Sequence, residues 1–267
     1  MKEKDPVFIK EDDYLAHVNP ETKAKQSLSE HLNATAFLGD RNCPLQELKN
    51  IIKVTALLHD AGKLGQDFFE YMNDILEYGE DAGKRQIDHS SAGGRIIEAM
   101  TGGCFLSDLV GTVIYSHHGI QDCIDMNTGK TLSEKRWEKE GDLETIKERY
   151  FQFVDKSLLT AYIRAAHFDT QKIIRRIKEF LDVNKGKNCG SREFYFGMYE
   201  RLLLSLLIDS DWSDTACFME GEALPERLTE ERTQQIWEEC LCNFENYMEQ
   251  LKGLGDESPL NIYREEI

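Results

Sequence analysis

The chain has 267 residues, 40% of them hydrophobic, enough for one large domain or two small ones with a sizeable core. No stretch approaches a membrane span, the charged segment Met1 to Lys10 lacks the apolar run of a secretion signal, and seven scattered cysteines without a Cys-x-x-Cys pair read as reduced thiols, so a cytoplasmic protein with no membrane partner is expected. A net charge of −17, from 32 basic and 49 acidic side chains, argues against a broad electropositive face that wraps a nucleic-acid duplex.

Residues 1–26 read as an irregular entry in which Val7-Phe8-Ile9 and Tyr14-Leu15-Ala16 offer the apolar contacts, and no catalytic role is assigned there. Ser27-Leu28-Ser29-Glu30 has capping-box spacing and opens a helix whose inward face carries Leu28, His31, Leu32, Thr35 and Leu38. Pro44 suits a first helical turn, and Leu45, Leu48, Ile52, Thr55 and His59 follow at three- and four-residue steps. This apolar run stops at His59-Asp60-Ala61-Gly62-Lys63. Phe68, Phe69, Met72, Ile75 and Leu76 predict another helix, closed by Gly79 and Gly83.

Asp88 is placed to cap a helix with His89 in its first turn, running through Ile96, Ile97 and Met100 to Gly102-Gly103. Leu106, Leu109, Val110, Val113, Ile114 and His117 keep the helical period and end in Ser116-His117-His118-Gly119. Residues 120–148, charged and without clear periodicity, read as a solvated insertion or lid. Tyr150 to Ala166 and Ile173 to Leu181 predict two further helices, with Lys172, Arg175, Arg176 and Lys178 in the densest basic stretch, a candidate contact for a phosphate backbone. The apolar helix through Leu203, Leu204, Leu207 and Ile208 leads into Asp209-Ser210-Asp211-Trp212, and Trp237, Cys240, Leu241, Phe244, Met248 and Leu251 mark a closing helix before a polar tail at 253–267. The expected architecture is all-α, one domain over 27–252, with or without a short extended N-terminal element.

Each histidine has an ordinary explanation when taken singly, as a core or capping residue. Taken jointly, His31, His59, His89, His117 and His118 lie on apolar faces or at helix ends, together with Asp60 and the Asp209/Asp211 pair. Separate helices would each bring costly polar groups inward without a common reason unless they shared a ligand. His17 and His167 lack such a context and read as structural or exposed.

The residues Glu30-His31-Leu32, Leu57 to Lys63, Asp88-His89-Ser90-Ser91-Ala92-Gly93, His117-His118-Gly119 and Ser210-Asp211-Trp212 together resemble the HD-domain metal-dependent phosphohydrolases, and among them the HD nuclease domain of CRISPR-associated Cas3 proteins. The resemblance runs from about Tyr14 to Thr215. It implies two metal ions sharing Asp60, one held by His31, His59, Asp60 and Asp211 and the other by Asp60, His89, His117 and His118. Asp211 is preferred to Asp209 because it precedes a bulky residue, as the family's last aspartate does. An imidazole-rich set without thiolate suits two divalent transition-metal ions, Mn, Fe, Co, Ni or Zn, better than Mg. Cations about 3.5–4 Å apart can hold a hydroxide for in-line attack on a phosphodiester, with Lys63 adding positive charge at the transition state.

The resemblance further points to endonucleolytic cleavage of single-stranded DNA in CRISPR interference. A Cas3 helicase domain, in cis or in trans, and a Cascade-like effector complex would be the partners, and Pro259 to Ile267 resembles a lead-in to that helicase. A nucleotide or cyclic-nucleotide phosphohydrolase and a non-catalytic metal-binding scaffold are the alternatives.

Overall fold

The computed structural model describes residues 14–79, 87, 89–119, 125–138, 143–186, 190–224, 226 and 228–252. A short hairpin comes first: β1 (Leu15–Val18) pairs antiparallel with β2 (Lys25–Ser27), with His17 opposite Gln26. Ten helices follow among the described residues: α1 (Leu28–Asn42), α2 (Lys49–Leu58), α3 (Gln66–Tyr78), α4 (Ser91–Thr101), α5 (Phe105–Ser116), α6 (Leu132–Trp137), α7 (Leu143–Phe153), α8 (Lys156–Val183), α9 (Arg192–Glu220) and α10 (Glu230–Lys252). Short 3-10 turns at Gln46–Leu48 and Ala61–Leu64 flank α2. The chain is therefore all-α with the small extended element that its sequence suggests. No helix among the described residues is long and apolar enough to cross a membrane.

The chain divides into two compact units, Met1–Leu224 and Pro225–Ile267. The larger holds β1 through α9. The helix α10 belongs to the smaller.

The larger unit is built around α2. Ile51, Ile52, Val54, Ala56, Leu57 and Leu58 are fully buried, which is the pattern of a helix surrounded on all sides. Helices α1, α4, α5, α8 and α9 pack around it. Leu28 and Leu32 of α1, Val110 and Ile114 of α5, Ala166 and Ile173 of α8, and Leu203 and Leu207 of α9 belong to the same core. Each such side chain stabilises the fold by roughly 1.5–3 kcal/mol through removal of apolar surface from water. A helix enclosed this way must satisfy its last carbonyls inside the protein. Tyr150 of α7 donates its hydroxyl to Leu57 O at 2.8 Å, and His59 Nδ1 lies 2.7 Å from Ala56 O.

Several boundaries differ from the sequence reading, each for a local reason. Pro44 precedes a 3-10 turn rather than opening α2, and Leu48 N donates to Leu45 O there. Residues 143–148, expected to belong to a solvated insertion, form the first half of α7, and Leu143 and Ile146 pack on the core. Lys130 and Lys135 form ion pairs with Glu138 and Asp125 around α6. The helical break falls at Asp155, whose carboxylate caps α8 by accepting from Ser157 N and Leu158 N; α8 then runs unbroken through both expected segments. The expected Asp88 cap lies outside the described residues, and His89 precedes α4 rather than lying in its first turn.

Gly93 sets the approach of α4 to α2. A Cβ there would sit 1.9 Å from Leu58 O, a main-chain atom with no freedom to yield, whereas a Cβ on Gly111 of α5 would make ordinary contact at 3.5 Å with Tyr115. Gly93→Ala is therefore expected to destabilise the fold by about 1–3 kcal/mol or more, while Gly111→Ala is neutral or stabilising by about 1 kcal/mol. Urea unfolding of the two variants checks the contrast; equal stability of both would contradict it.

Candidate metal centre

The centre forms where helices stop. α2 ends at Leu58, and the 3-10 turn that follows exposes His59 and Asp60 on its inner side; Lys63 N donates to Asp60 O at 2.9 Å to close the turn. α5 ends in the same way at Ser116, with His117 next. The capping box at Ser27 and Glu30 is formed, with Glu30 N donating to Ser27 Oγ and Ser27 N to Glu30 Oε2, and it places His31 in the first turn of α1. Helix α9 does not stop at Asp209 but continues to Glu220, so Asp211 projects from a helix interior.

Gly62 lets the fourth segment reach the centre. A Cβ at Gly62 would lie 2.1 Å from His89 O, so only a glycine permits the main chain of His89 to cross so close to the His59-Asp60 turn.

The imidazole rings are held by one nitrogen each. His59 Nδ1 is 2.7 Å from Ala56 O, His117 Nδ1 2.6 Å from Ile114 O, His89 Nδ1 3.0 Å from Ile87 O, and His31 Nδ1 2.6 Å from Asp214 Oδ2. Oxygen acceptors at Nδ1 favour the proton there, which leaves Nε2 with a free lone pair. His31 Nε2, His59 Nε2 and His117 Nε2 are buried and without a hydrogen-bond partner, as is Asp60 Oδ1. Buried polar atoms of this kind call for a ligand.

They converge on Asp60. Its Oδ2 is 3.4 Å from both His31 Nε2 and His59 Nε2, and its Oδ1 is 3.4 Å from His117 Nε2 and 3.8 Å from His89 Nε2. Asp211 Oδ1 completes the first side at 3.2 Å from His31 Nε2 and 3.8 Å from His59 Nε2. His118 completes the second, its Nε2 lying 2.6 Å from His89 Nε2. Two donor groups result, His31-His59-Asp60-Asp211 and Asp60-His89-His117-His118, with the ligand atoms of each within 4.8 Å of one another. The first, inner group is wholly buried. The second opens outward through half-buried His89 and exposed His118. The donor chemistry and the orphaned Nε2 atoms fit a divalent transition-metal ion in each group.

Charge makes the same demand. Among the described residues, Asp60, Asp211 and Asp214 bring three carboxylates into the centre against the single ammonium of Lys63. Burial disfavours charge on His31 and His59, but the surrounding carboxylates outweigh it and raise their pKa values to about 10 and about 9. Burial likewise opposes ionisation of Asp60 and Asp211, yet His59 and Lys63 beside Asp60, and His31 and His59 beside Asp211, keep both carboxyls well below the ordinary range. On the outer side burial dominates: the His89 pKa is lowered, and that of His118 falls to about 4.

Lys63, expected to meet the transition state, lies beside Asp60. It is buried, with Nζ 2.7 Å from Asp60 Oδ2, 3.2 Å from Ala16 O and 3.4 Å from His17 Nε2. His17, read from sequence as structural or exposed, is the former: β1 places it between Lys63, Thr215 and the His31 ring, and burial together with Lys63 pushes its pKa down to about 2. His167 is exposed on α8.

Asp209 is exposed and accepts from Asn42 Nδ2, away from the imidazoles. The exposed residues Lys172, Arg175, Arg176 and Lys178 lie on α8 and do not join the centre; Lys172 pairs with Asp169 and Arg176 with Glu47. Asp214 escaped the sequence reading. Its signal was the three-residue spacing from Asp211, which has meaning only once α9 is known to continue.

Residues 13–213 match the family model described as Cas3, HD domain. A search of curated proteins found no match.

The pKa pattern gives the two groups different responses to pH. Without a cation, His31 and His59 are protonated at neutral pH; their stabilising contribution is complete below the unfolded value of 6.5 and is lost as pH rises through about 9 to 10. A cation entering the inner group displaces those protons, so its affinity should rise with pH, while binding at the outer group should change little above pH ~6. Calorimetric titration with Mn in buffers of different ionisation enthalpy measures the proton release. Binding at both groups without proton release would contradict this reading.

Proposed function

Because this chain belongs to the Cas3 HD-domain family and so carries an HD-type nuclease role in a CRISPR setting, we propose that it is a metal-dependent endonuclease that cleaves single-stranded DNA. The observation that carries the reading is the division of Asp60 between two donor groups, one oxygen toward each.

His31, His59 and Asp211 would hold one divalent ion with Asp60, and His89, His117 and His118 the other. Such a pair supplies water activation near neutral pH and charge stabilisation for the leaving oxygen. The chain's own part is to bind and orient. Lys63 keeps Asp60 ionised and fixed, and the carbonyls of Ala56, Ile87 and Ile114 keep the rings turned so that Nε2 faces inward. The strand phosphate enters from the side of His118, since the opposite group is enclosed.

Hydrolysis of this kind does not use a ribose 2′-hydroxyl, so DNA is a competent substrate. A single strand also reaches a recessed centre between helices more readily than a duplex. The charge of −17 supports delivery by a partner, and a Cas3 helicase domain in cis or in trans, working with a Cascade-like effector complex, fits that need. Arg175 and Lys178, three residues apart on the exposed side of α8, are the best placed of the four basic residues to meet the backbone, since Lys172 and Arg176 already pair with carboxylates.

Incubation of the Mn-loaded protein with single-stranded DNA, duplex DNA, single-stranded RNA and a panel of nucleotides and cyclic nucleotides tests the reading. Cleavage of the single strand is expected, and Asp60→Ala should lower it at least about a hundredfold, the equivalent of roughly 3 kcal/mol of transition-state stabilisation. Hydrolysis of nucleotides with the DNA left intact would assign the chain to nucleotide chemistry instead.

A further inference from the structure

Four of the imidazoles in the centre have a defined oxygen at Nδ1, and for three of them it is a main-chain carbonyl two or three residues earlier: Ala56 for His59, Ile114 for His117 and Ile87 for His89. Position explains the choice. His59 and His117 follow the last turns of α2 and α5, where carbonyls have lost their helical N–H partners and can accept from a side chain. His31 stands at the other kind of helix end. In the first turn of α1 the carbonyls are engaged by amides four residues on, and the unfilled groups are donors. An imidazole N–H at that position has no local acceptor.

The acceptor comes from α9. Asp214 Oδ2 lies 2.6 Å from His31 Nδ1, and the same oxygen accepts from Gln26 Nε2 of β2 at 2.8 Å. All three side chains are buried. Asp211, one turn earlier on α9, meets the other ring nitrogen, its Oδ1 being 3.2 Å from Nε2. One helix thus addresses both nitrogens of His31: Asp211 on the side of the donor cluster, Asp214 on the side away from it. Among the described residues, His31 is the one member of the centre whose Nδ1 is served by a carboxylate, a stronger acceptor than a carbonyl and one that makes the imidazole a better electron donor.

We propose that Asp214, steadied by Gln26, is a positioning residue that fixes His31 as the Nδ1–H tautomer and aims its Nε2 lone pair at the inner cation. The inference rests on the cation-binding reading given above. In it β2 acquires a function, since the short hairpin supplies the hydrogen bond that keeps Asp214 turned toward the ring.

Titration of the full chain with Co(II), followed by its visible absorption, provides the test. Wild type should fill two groups. Asp214→Asn, which keeps the shape but weakens the acceptor, should bind about 10–100-fold more weakly at the inner group and within about twofold of wild type at the outer one, a selectivity that a loss of general packing would not produce. Two groups filled in wild type and in Asp214→Asn with equal affinity would overturn this inference alone, whereas a wild-type chain that takes up no cation would overturn the reading beneath it. A second measurement does not depend on the variant folding. In 15N-histidine NMR spectra of the Zn-loaded wild type, the His31 proton should reside on Nδ1, and a proton on Nε2 would overturn the assignment.

Discussion

A carboxylate enclosed in a dry helical bundle is stable only if positive charge is brought to it, because removing it from water costs several kcal/mol. Asp60 imposes that condition on everything around it. Lys63 spends its ammonium on one Asp60 oxygen and on the main chain of β1, and the imidazoles of four different segments turn toward the two oxygens. Even so, the three carboxylates of the centre exceed its one fixed cation. The remainder is met by protons on His31 and His59, or by divalent ions that replace them. The centre is thus arranged to take up either protons or divalent ions.

The helical scaffold supplies this arrangement economically because helix ends and ligand orientation are the same problem. The last carbonyls of α2 and α5 need donors, and His59 and His117 need acceptors, so each pairing satisfies a backbone group and fixes a ring. α7 completes the closure of α2 through Tyr150, and its Arg149 donates to Leu64 O at 2.6 Å, clamping the turn that carries Asp60. The two donor groups differ in access. The inner one is sealed by α1, α2 and α9, and the outer one opens at His89 and His118.

Much of this was readable from sequence because it rests on local rules. A capping box located His31, an apolar 3.6 period ended in His59 and again in His117, and the cost of burying so many polar groups pointed to a shared ligand. What was hidden depended on tertiary context. Helix α9 runs past Asp209 to the left-handed cap at Gly221, whereas the sequence was read as ending the helix at the aspartates, and so Asp214 was not placed on the face of Asp211. The contacts of Lys63 with Ala16 O and Asp60 likewise depend on where β1 folds back and were not legible in the sequence. The basic stretch on α8 has two of its four charges paired, Lys172 with Asp169 three residues earlier on the same helix and Arg176 with Glu47, which is distant in sequence.

The division of Asp60 between two cations can be observed directly by anomalous X-ray diffraction from crystals of the Mn-loaded protein. Two peaks are expected, one beside each Asp60 oxygen, the first among His31, His59 and Asp211 and the second among His89, His117 and His118. A single peak, or peaks that do not share Asp60, would contradict the two-cation centre on which the proposed nuclease chemistry depends.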